Sequence, residues 1–416
     1  MSQLDTTVVI PTRQGDGSPD VNDTLTDVSE TAGGGWRRAA YAALATWTAA
    51  LAMYAVITVF AWRLTKAQTP TIPEMFGMYK WQDATFYIEI MELGYHNNPD
   101  SLAFYPLFSM VSWVFNVVLP GGPLIAVAVV SALCAFVTLM LLFRFVDMEF
   151  GTETAHRALL YFAAFPMAFY LYNGYNASMC VMFIIGAMYA GRRGHWWLAG
   201  VLTCLAGSTR LFGLLVAVAL AYEYMRQRDW NVRRIRWDVL SFAIMPLGLV
   251  AFSVYCRVVH GDWLAFVHAQ DSWKRAYGWP GQSLIEPFRR LYHAVNEDGP
   301  FIPNEYMTIT AFEAVTVLLV LVLVVLGFVG PWKVRRDQWF LLIATIVPLI
   351  LVTSTMIGDQ RWLTSAPRFT LEWLAPFVIL ARIGRNMFID RLVLMLALSL
   401  QAIMLATFAL HVNWVA

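Results

Sequence analysis

Charge is scarce in this sequence. Only 14% of its 416 residues are Asp, Glu, Lys or Arg, while 59% are apolar, and that shortage excludes a water-soluble globule, whose surface needs about a quarter of the residues charged. Excess positive charge is lacking as well. The formal net charge of +1 excludes a nucleic-acid partner, because neutralising phosphates takes clustered Lys and Arg. The four cysteines, Cys134, Cys180, Cys204 and Cys256, have neither metal-ligand nor disulfide spacing and lie in or beside apolar stretches, which leaves them as packing residues. There is no Gly-rich phosphate-cradling loop and no internal repeat. The start lacks the basic region and short apolar run of a signal peptide, so the first apolar segment is expected to stay as an anchor.

What the sequence does have is long apolar runs, each approaching the roughly 20 residues that cross a bilayer as a helix. They fall at about 39–62, 123–146, 156–173, 177–191, 196–209, 211–225, 238–257, 307–330, 338–356, 368–382 and 391–413. The expected fold is an all-α, polytopic integral membrane protein with about eleven transmembrane helices, in contact with membrane lipids. A further apolar stretch at 104–119 lies along the interface or dips into it. Residues 1–36 are too polar to offset their ordering entropy and read as a disordered tail, leaving 37–416 as the membrane domain. Arg37 and Arg38 hold that tail in the cytoplasm by the positive-inside rule. Arg192 and Arg193, the run "MRQRDWNVRRIRW" with Arg226, Arg228, Arg233, Arg234 and Arg236, then Lys333, Arg335 and Arg336, and finally Arg382, Arg385 and Arg391 mark inner turns. The acidic turn near 147–155 fits that pattern poorly. Long outer loops are then expected at 63–103 and 258–306, with a shorter one near 357–367, and such loops on a rigid scaffold are where function concentrates.

The first outer loop contains "KWQDATFYIEIMELGYHNNPDSLAFYPLF", with Asp83, Glu89, Glu92 and Asp100 against a single lysine, Lys80. Phe86, Tyr87, Ile90, Met91 and Leu93 follow helical spacing, with Thr85, Glu89 and Glu92 towards another face, which predicts a helix lying on the membrane. Asp83 stands just before it. It can cap that helix by accepting backbone N–H bonds, or it can take a proton from a hydroxyl group at the membrane surface.

The spacing of Asp83, Tyr87, Ile90, Gly94 and Tyr95, followed by Ala103, Phe104, Tyr105, Pro106, Leu107 and Phe108, resembles the first outer loop of the PIG-V-like branch of the GT-C superfamily. These are the bacterial relatives of the second mannosyltransferase of GPI-anchor synthesis. Here Gln82 separates Trp81 from Asp83, residues that are adjacent in the family. Further likeness lies in "FPMAFYLYNGYNAS", with Pro166 and Tyr175, although Asn176 and Ala177 replace the family's hydroxyl residue and Glu. The segments "AGSTRLFGLL", "SWKRAYGWPGQSL" and "SAPRFTLEWLAPF" continue it.

The resemblance implies a GT-C-like fold with a helical first outer loop, and a polyprenyl-phosphate-mannose donor presented at the outer face. It implies inverting transfer to a lipid or glycan acceptor with Asp83 as base. Arg210, Lys274, Arg275 and Arg368 are the candidates for the donor phosphate, since guanidinium groups bind phosphate bidentately and Lys acts as a point charge. Arg210 is costly inside a membrane and is expected to face a polar cavity, unless it ends a helix and snorkels. Trp81, Tyr87, Tyr105, Tyr175 and Trp273 are candidate substrate contacts, against the plainer alternative of an interfacial aromatic belt for Trp273. His268, like His96, can shuttle a proton or help hold a divalent metal. Neither has a ligand-spaced partner, so no metal site is assigned; a divalent metal stays open as a cofactor and no other is indicated. The rival reading is a transporter or lipid flippase, which would also use an intramembrane Arg but tends to carry paired repeats.

Overall fold

The computed structural model describes residues 21–66, 68–296, 305–357, 363 and 365–411. The first twenty residues of the expected tail lie outside them. The first helix, Val21–Thr65, begins inside the stretch expected to be disordered and carries the first apolar run.

Each of the eleven apolar intervals meets a helix. Six are long and apolar enough to cross a membrane, namely Gly34–Thr65, Pro123–Phe150, Trp237–His260, Ile309–Phe328, Arg336–Thr353 and Met387–Ala409. The other five intervals hold shorter helices: Thr152–Ala164, Ala177–Arg192, Trp196–Thr209, Leu211–Arg226 and Leu374–Ile383. They are short because the chain turns inside the protein. Pro166 follows the end of Thr152–Ala164, and its missing N–H and fixed φ stop the helix. Arg210 is extended between two helices, with φ −170° and ψ 154°. Irregular backbone at membrane depth is tolerated where protein covers it or it lines a polar cavity. The chain therefore forms an all-α polytopic membrane protein.

Ala177–Arg192 sits centrally, packed against Trp196–Thr209 and Pro123–Phe150, and the first helix flanks the latter. Phe143, Phe145, Phe162, Phe169, Phe340 and Phe408 are fully buried between these helices. Val56, Phe60, Val118, Val258 and Met395 stand exposed on the outside, as suits side chains facing lipid tails. The hairpin around Arg210 closes tightly because Gly213 lies against the Ala206 backbone, where a Cβ would collide. Small residues permit such close helix approach in membrane bundles.

The acidic turn that fits the charge pattern poorly has a clear role. Its Glu149 receives two hydrogen bonds from Arg192, at 2.6 and 3.1 Å, while the same guanidinium reaches Glu223 at 3.1 Å and Asp337 at 2.5 Å. One cation thus ties four segments at one end of the bundle, and the acidic residues belong with the basic turns as their counter-charges. The opposite end carries Asn176, Thr209 and Arg210, at the far ends of the same helices.

The loop region 258–306 adds an element that apolar periodicity does not announce. Arg275–Tyr277 pairs antiparallel with Thr355–Ile357, with Arg275 opposite Ile357 and Tyr277 opposite Thr355.

Candidate active site

The helix Asp83–Leu93 forms and buries Ala84, Tyr87, Ile88, Ile90 and Met91, whereas Leu93 of the expected apolar face is 53% exposed. Asp83 is its first residue and not its cap, which corrects the capping alternative. The cap is Gln82, held at φ 51° and ψ −126°, a region that costs a non-glycine residue about 1–3 kcal/mol. This placement turns Trp81 away, so that its ring meets Phe408 and His411 at centroid distances of 5.6 and 5.1 Å. Its carbonyl accepts a 3.1 Å hydrogen bond from the Tyr175 hydroxyl.

Asp83 Oδ2 accepts a 2.7 Å hydrogen bond from Arg368 Nη1, across 285 positions of sequence. Arg368 is almost wholly enclosed, its guanidinium carbon lying 5.3 Å from the Tyr170 ring centre, 5.6 Å from Tyr175 and 5.5 Å from Phe369. These faces attract the cation and fix its direction. Beside it, Arg210 Nη1 donates to Glu372 Oε1 at 2.6 Å, and its guanidinium lies 5.1 Å from the Phe369 ring. Both members of this pair are inside the protein, with side chains 13% and 2% exposed. Arg210 is therefore a buried ion-pair member and does not snorkel.

A cavity of about 430 Å³ opens beside these residues, lined by Asp83, Tyr87, Tyr105, Arg210, Arg275 and Arg368 among others. Trp273 forms part of its wall, 5.8 Å from the Phe86 ring and 5.9 Å from Phe104. Three of the four candidate cations thus converge. The fourth, Lys274, does not line the cavity and instead takes the left-handed conformation, φ 50° and ψ 44°, that turns Arg275 inward. Ser365, three residues before Arg368, is likewise left-handed at φ 65°. Of the six non-glycine residues at positive φ among the described residues, three precede or adjoin site residues, the clustering expected where backbone strain positions functional groups.

Burial pushes the Tyr87 phenol far above its ordinary range, so it stays neutral and can donate a hydrogen bond. Burial also pulls the Arg275 guanidinium down. Arg275 has no carboxylate within ion-pair distance among the described residues, and its buried Nε has no hydrogen-bond partner. With Asp83 and Glu372 against Arg210, Arg275 and Arg368, the site keeps one uncompensated positive charge, an arrangement that favours an anion.

Other candidates fall outside the cavity. Tyr175 supports Arg368 from behind. His268 is exposed and held by Asp262, Nδ1 to Oδ2 at 2.6 Å, where the Leu264 N–H and then the His268 ring hold the Asp262 carboxyl below its usual range. Among the described residues no three His, Cys, Asp or Glu side chains gather as metal ligands. Glu372 is the residue that sequence reasoning misses. A lone Glu within the apolar segment "RFTLEWLAPF" is the signal that could have found it, because an intramembrane carboxylate is expected to have a partner and a role. Asn176 donates a 2.7 Å hydrogen bond to the Thr209 carbonyl and so braces the Arg210 turn.

No curated protein matches this chain. Among solved structures it is similar to ArnT from Cupriavidus metallidurans bound to undecaprenyl phosphate, with 14% identity over 87% of this chain and 77% of that one, at a TM-score of 0.41. The family model for glycosyltransferase family 87 matches residues 103–357, an interval that includes Arg210 and Arg275 while Asp83 and Arg368 flank it. That interval is more than half of the sequence, and the chain belongs to glycosyltransferase family 87.

Proposed function

We propose that this membrane glycosyltransferase moves mannose from a polyprenyl-phosphate-mannose donor to a hydroxyl group of a lipid or glycan acceptor, with inversion in a single displacement. The observation that carries the reading is the gathering of one carboxylate, Asp83, with Arg210, Arg275 and Arg368 around a single cavity. Family membership favours transfer over the transport alternative. The choice of mannose rests on the likeness of the Asp83 loop to the PIG-V-like branch, which is finer than the family match. The GT-C-like reading, with the N-terminus in the cytoplasm and the cavity at the outer face, rests on that same likeness and on the distribution of basic turns.

Asp83 Oδ2 is occupied by Arg368, which leaves Oδ1 to accept the acceptor's proton as its oxygen attacks the anomeric carbon. The bond from that carbon to the phosphate oxygen breaks, and the polyprenyl phosphate leaves as an anion. Arg275, lacking a carboxylate partner, is the group best placed to meet the donor phosphate, with Arg210 and Arg368 adding to the field. Such preorganised charges act where developing negative charge is poorly solvated. General-base catalysis supplies about 10²- to 10⁴-fold, and orientation within the cavity contributes much of the remainder.

The test supplies radiolabelled polyprenyl phosphate mannose, and separately the glucose analogue, to membranes containing the parent or Asp83→Asn. Mannose label is expected in an extractable acceptor, falling by about 10²- to 10⁴-fold in the variant. Equal transfer by the variant would overturn the base assignment. Transfer from the glucose donor alone would overturn the sugar, and no transfer from either would overturn the polyprenyl donor.

A further inference from the structure

The run "MRQRDWNVRRIRW" finds no use in the transfer chemistry. It folds at the end of Leu211–Arg226 remote from the catalytic cavity, roughly 24 Å away along that helix at 1.5 Å per residue. There it borders a second cavity of about 640 Å³, whose lining includes Arg228, Arg233, Arg234, Ile235, Arg236 and Asp238.

Arg228 forms the floor of this cavity. It is 8% exposed, donates from Nη2 to both oxygens of Asp238 at 2.8 and 2.7 Å, and stacks 3.4 Å from the centre of the Tyr224 ring. Its buried Nε still lacks a hydrogen-bond partner. Arg234 is paired with Asp229. Arg233 and Arg236 have no carboxylate within ion-pair distance among the described residues, so two positive charges at the rim are uncompensated. Around them Trp230, Val232 and Ile235 are exposed, and Trp237 is 84% exposed. Trp237 also begins the membrane span Trp237–His260. The cavity therefore stands beside the start of that span, where tryptophans and arginines meet the headgroup layer.

We propose that this cavity binds the phosphodiester headgroup of an anionic membrane lipid. The phosphate sits between Arg233 and Arg236 above Arg228, and the acyl chains lie along Ile235 and Trp237. Basic pockets between membrane helices recognise lipid phosphates in this way. The proposal is independent of the transfer reaction, since none of these residues borders the catalytic cavity.

The full-length parent and the Arg233→Gln/Arg236→Gln variant would be purified in neutral detergent and titrated with phosphatidylglycerol or phosphatidylcholine. Bound lipid would be counted by native mass spectrometry, with inorganic phosphate in millimolar excess as a parallel arm. The parent is expected to prefer phosphatidylglycerol, and the variant to lose about fivefold in affinity per arginine, about 25-fold in total. Arg233→Lys/Arg236→Lys, which keeps both charges, should retain most of the binding and shows whether any loss reflects charge. Equal affinity of the parent for the two lipids, or unchanged binding in the Gln variant, would overturn the proposal. Displacement of the lipid by inorganic phosphate would overturn the lipid assignment in favour of a free anion.

Discussion

Replacing Glu372 with Gln tests the least anticipated part of the site. The carboxylate is 2% exposed and holds Arg210, itself 13% exposed, at 2.6 Å. Removing one member of such a pair leaves the other charge buried without compensation, at a cost of about 3–5 kcal/mol. By contrast the pair Arg157–Glu153, whose Glu is 81% exposed, is worth about 0.3–0.5 kcal/mol and serves as an internal control. Unfolding in mixed micelles would measure both. Glu372→Gln is expected to cost about ten times as much as Glu153→Gln, while the double change Glu372→Leu/Arg210→Met recovers most of the stability, since apolar replacements of buried pairs are often neutral. The double variant should nonetheless transfer sugar poorly, because a cavity cation is gone. If Glu372→Gln costs less than about 1 kcal/mol, or if the apolar double variant is as active as the parent, the account of Arg210 as a braced anion-binding group is wrong.

Arg275→Gln should weaken donor binding by about ten- to a hundredfold, the worth of one charge-assisted hydrogen bond, read as a raised KM for the sugar donor. Gly213→Ala forces a Cβ into the Ala206 backbone and should lower thermal stability and displace Arg210, with transfer falling in parallel. His268→Gln, at an exposed position held only by Asp262, should leave transfer within about twofold of the parent, as surface changes outside a site usually do. Arg192→Ala takes from Glu149, 4% exposed, its nearest cation, leaving it Arg335 at 3.5 Å, while Glu223 stays paired with Arg226 at 2.6 Å, and should destabilise by about 1.5–3 kcal/mol without changing donor affinity per folded molecule.

Much of this architecture is legible in the sequence because membrane insertion depends on local composition. Apolar length gives each of the eleven helical intervals, since a backbone in lipid has to satisfy its own hydrogen bonds within each segment. The helical spacing of apolar residues after Asp83 gives the helix Asp83–Leu93 for the same local reason. The sequence also carries the individual chemical candidates, because an Arg in an apolar run or a carboxylate beside one is conspicuous one residue at a time.

Pairing is what only the tertiary structure decided. Nothing local relates Asp83 to Arg368 across 285 positions or Arg210 to Glu372 across 162, because these contacts depend on which helix ends meet. Helix packing likewise turned the acidic turn at Glu149 into the counter-charge of Arg192. The backbone at Gln82, Lys274 and Ser365 is held at positive φ against its intrinsic preference, which requires surrounding contacts to over-determine it. By that strain the fold selects Arg275 over its neighbour Lys274 for the cavity and turns Trp81 away from it. Composition and periodicity determined that the chain crosses the membrane as helices. Long-range packing, which has no local signature, determined which charges face each other.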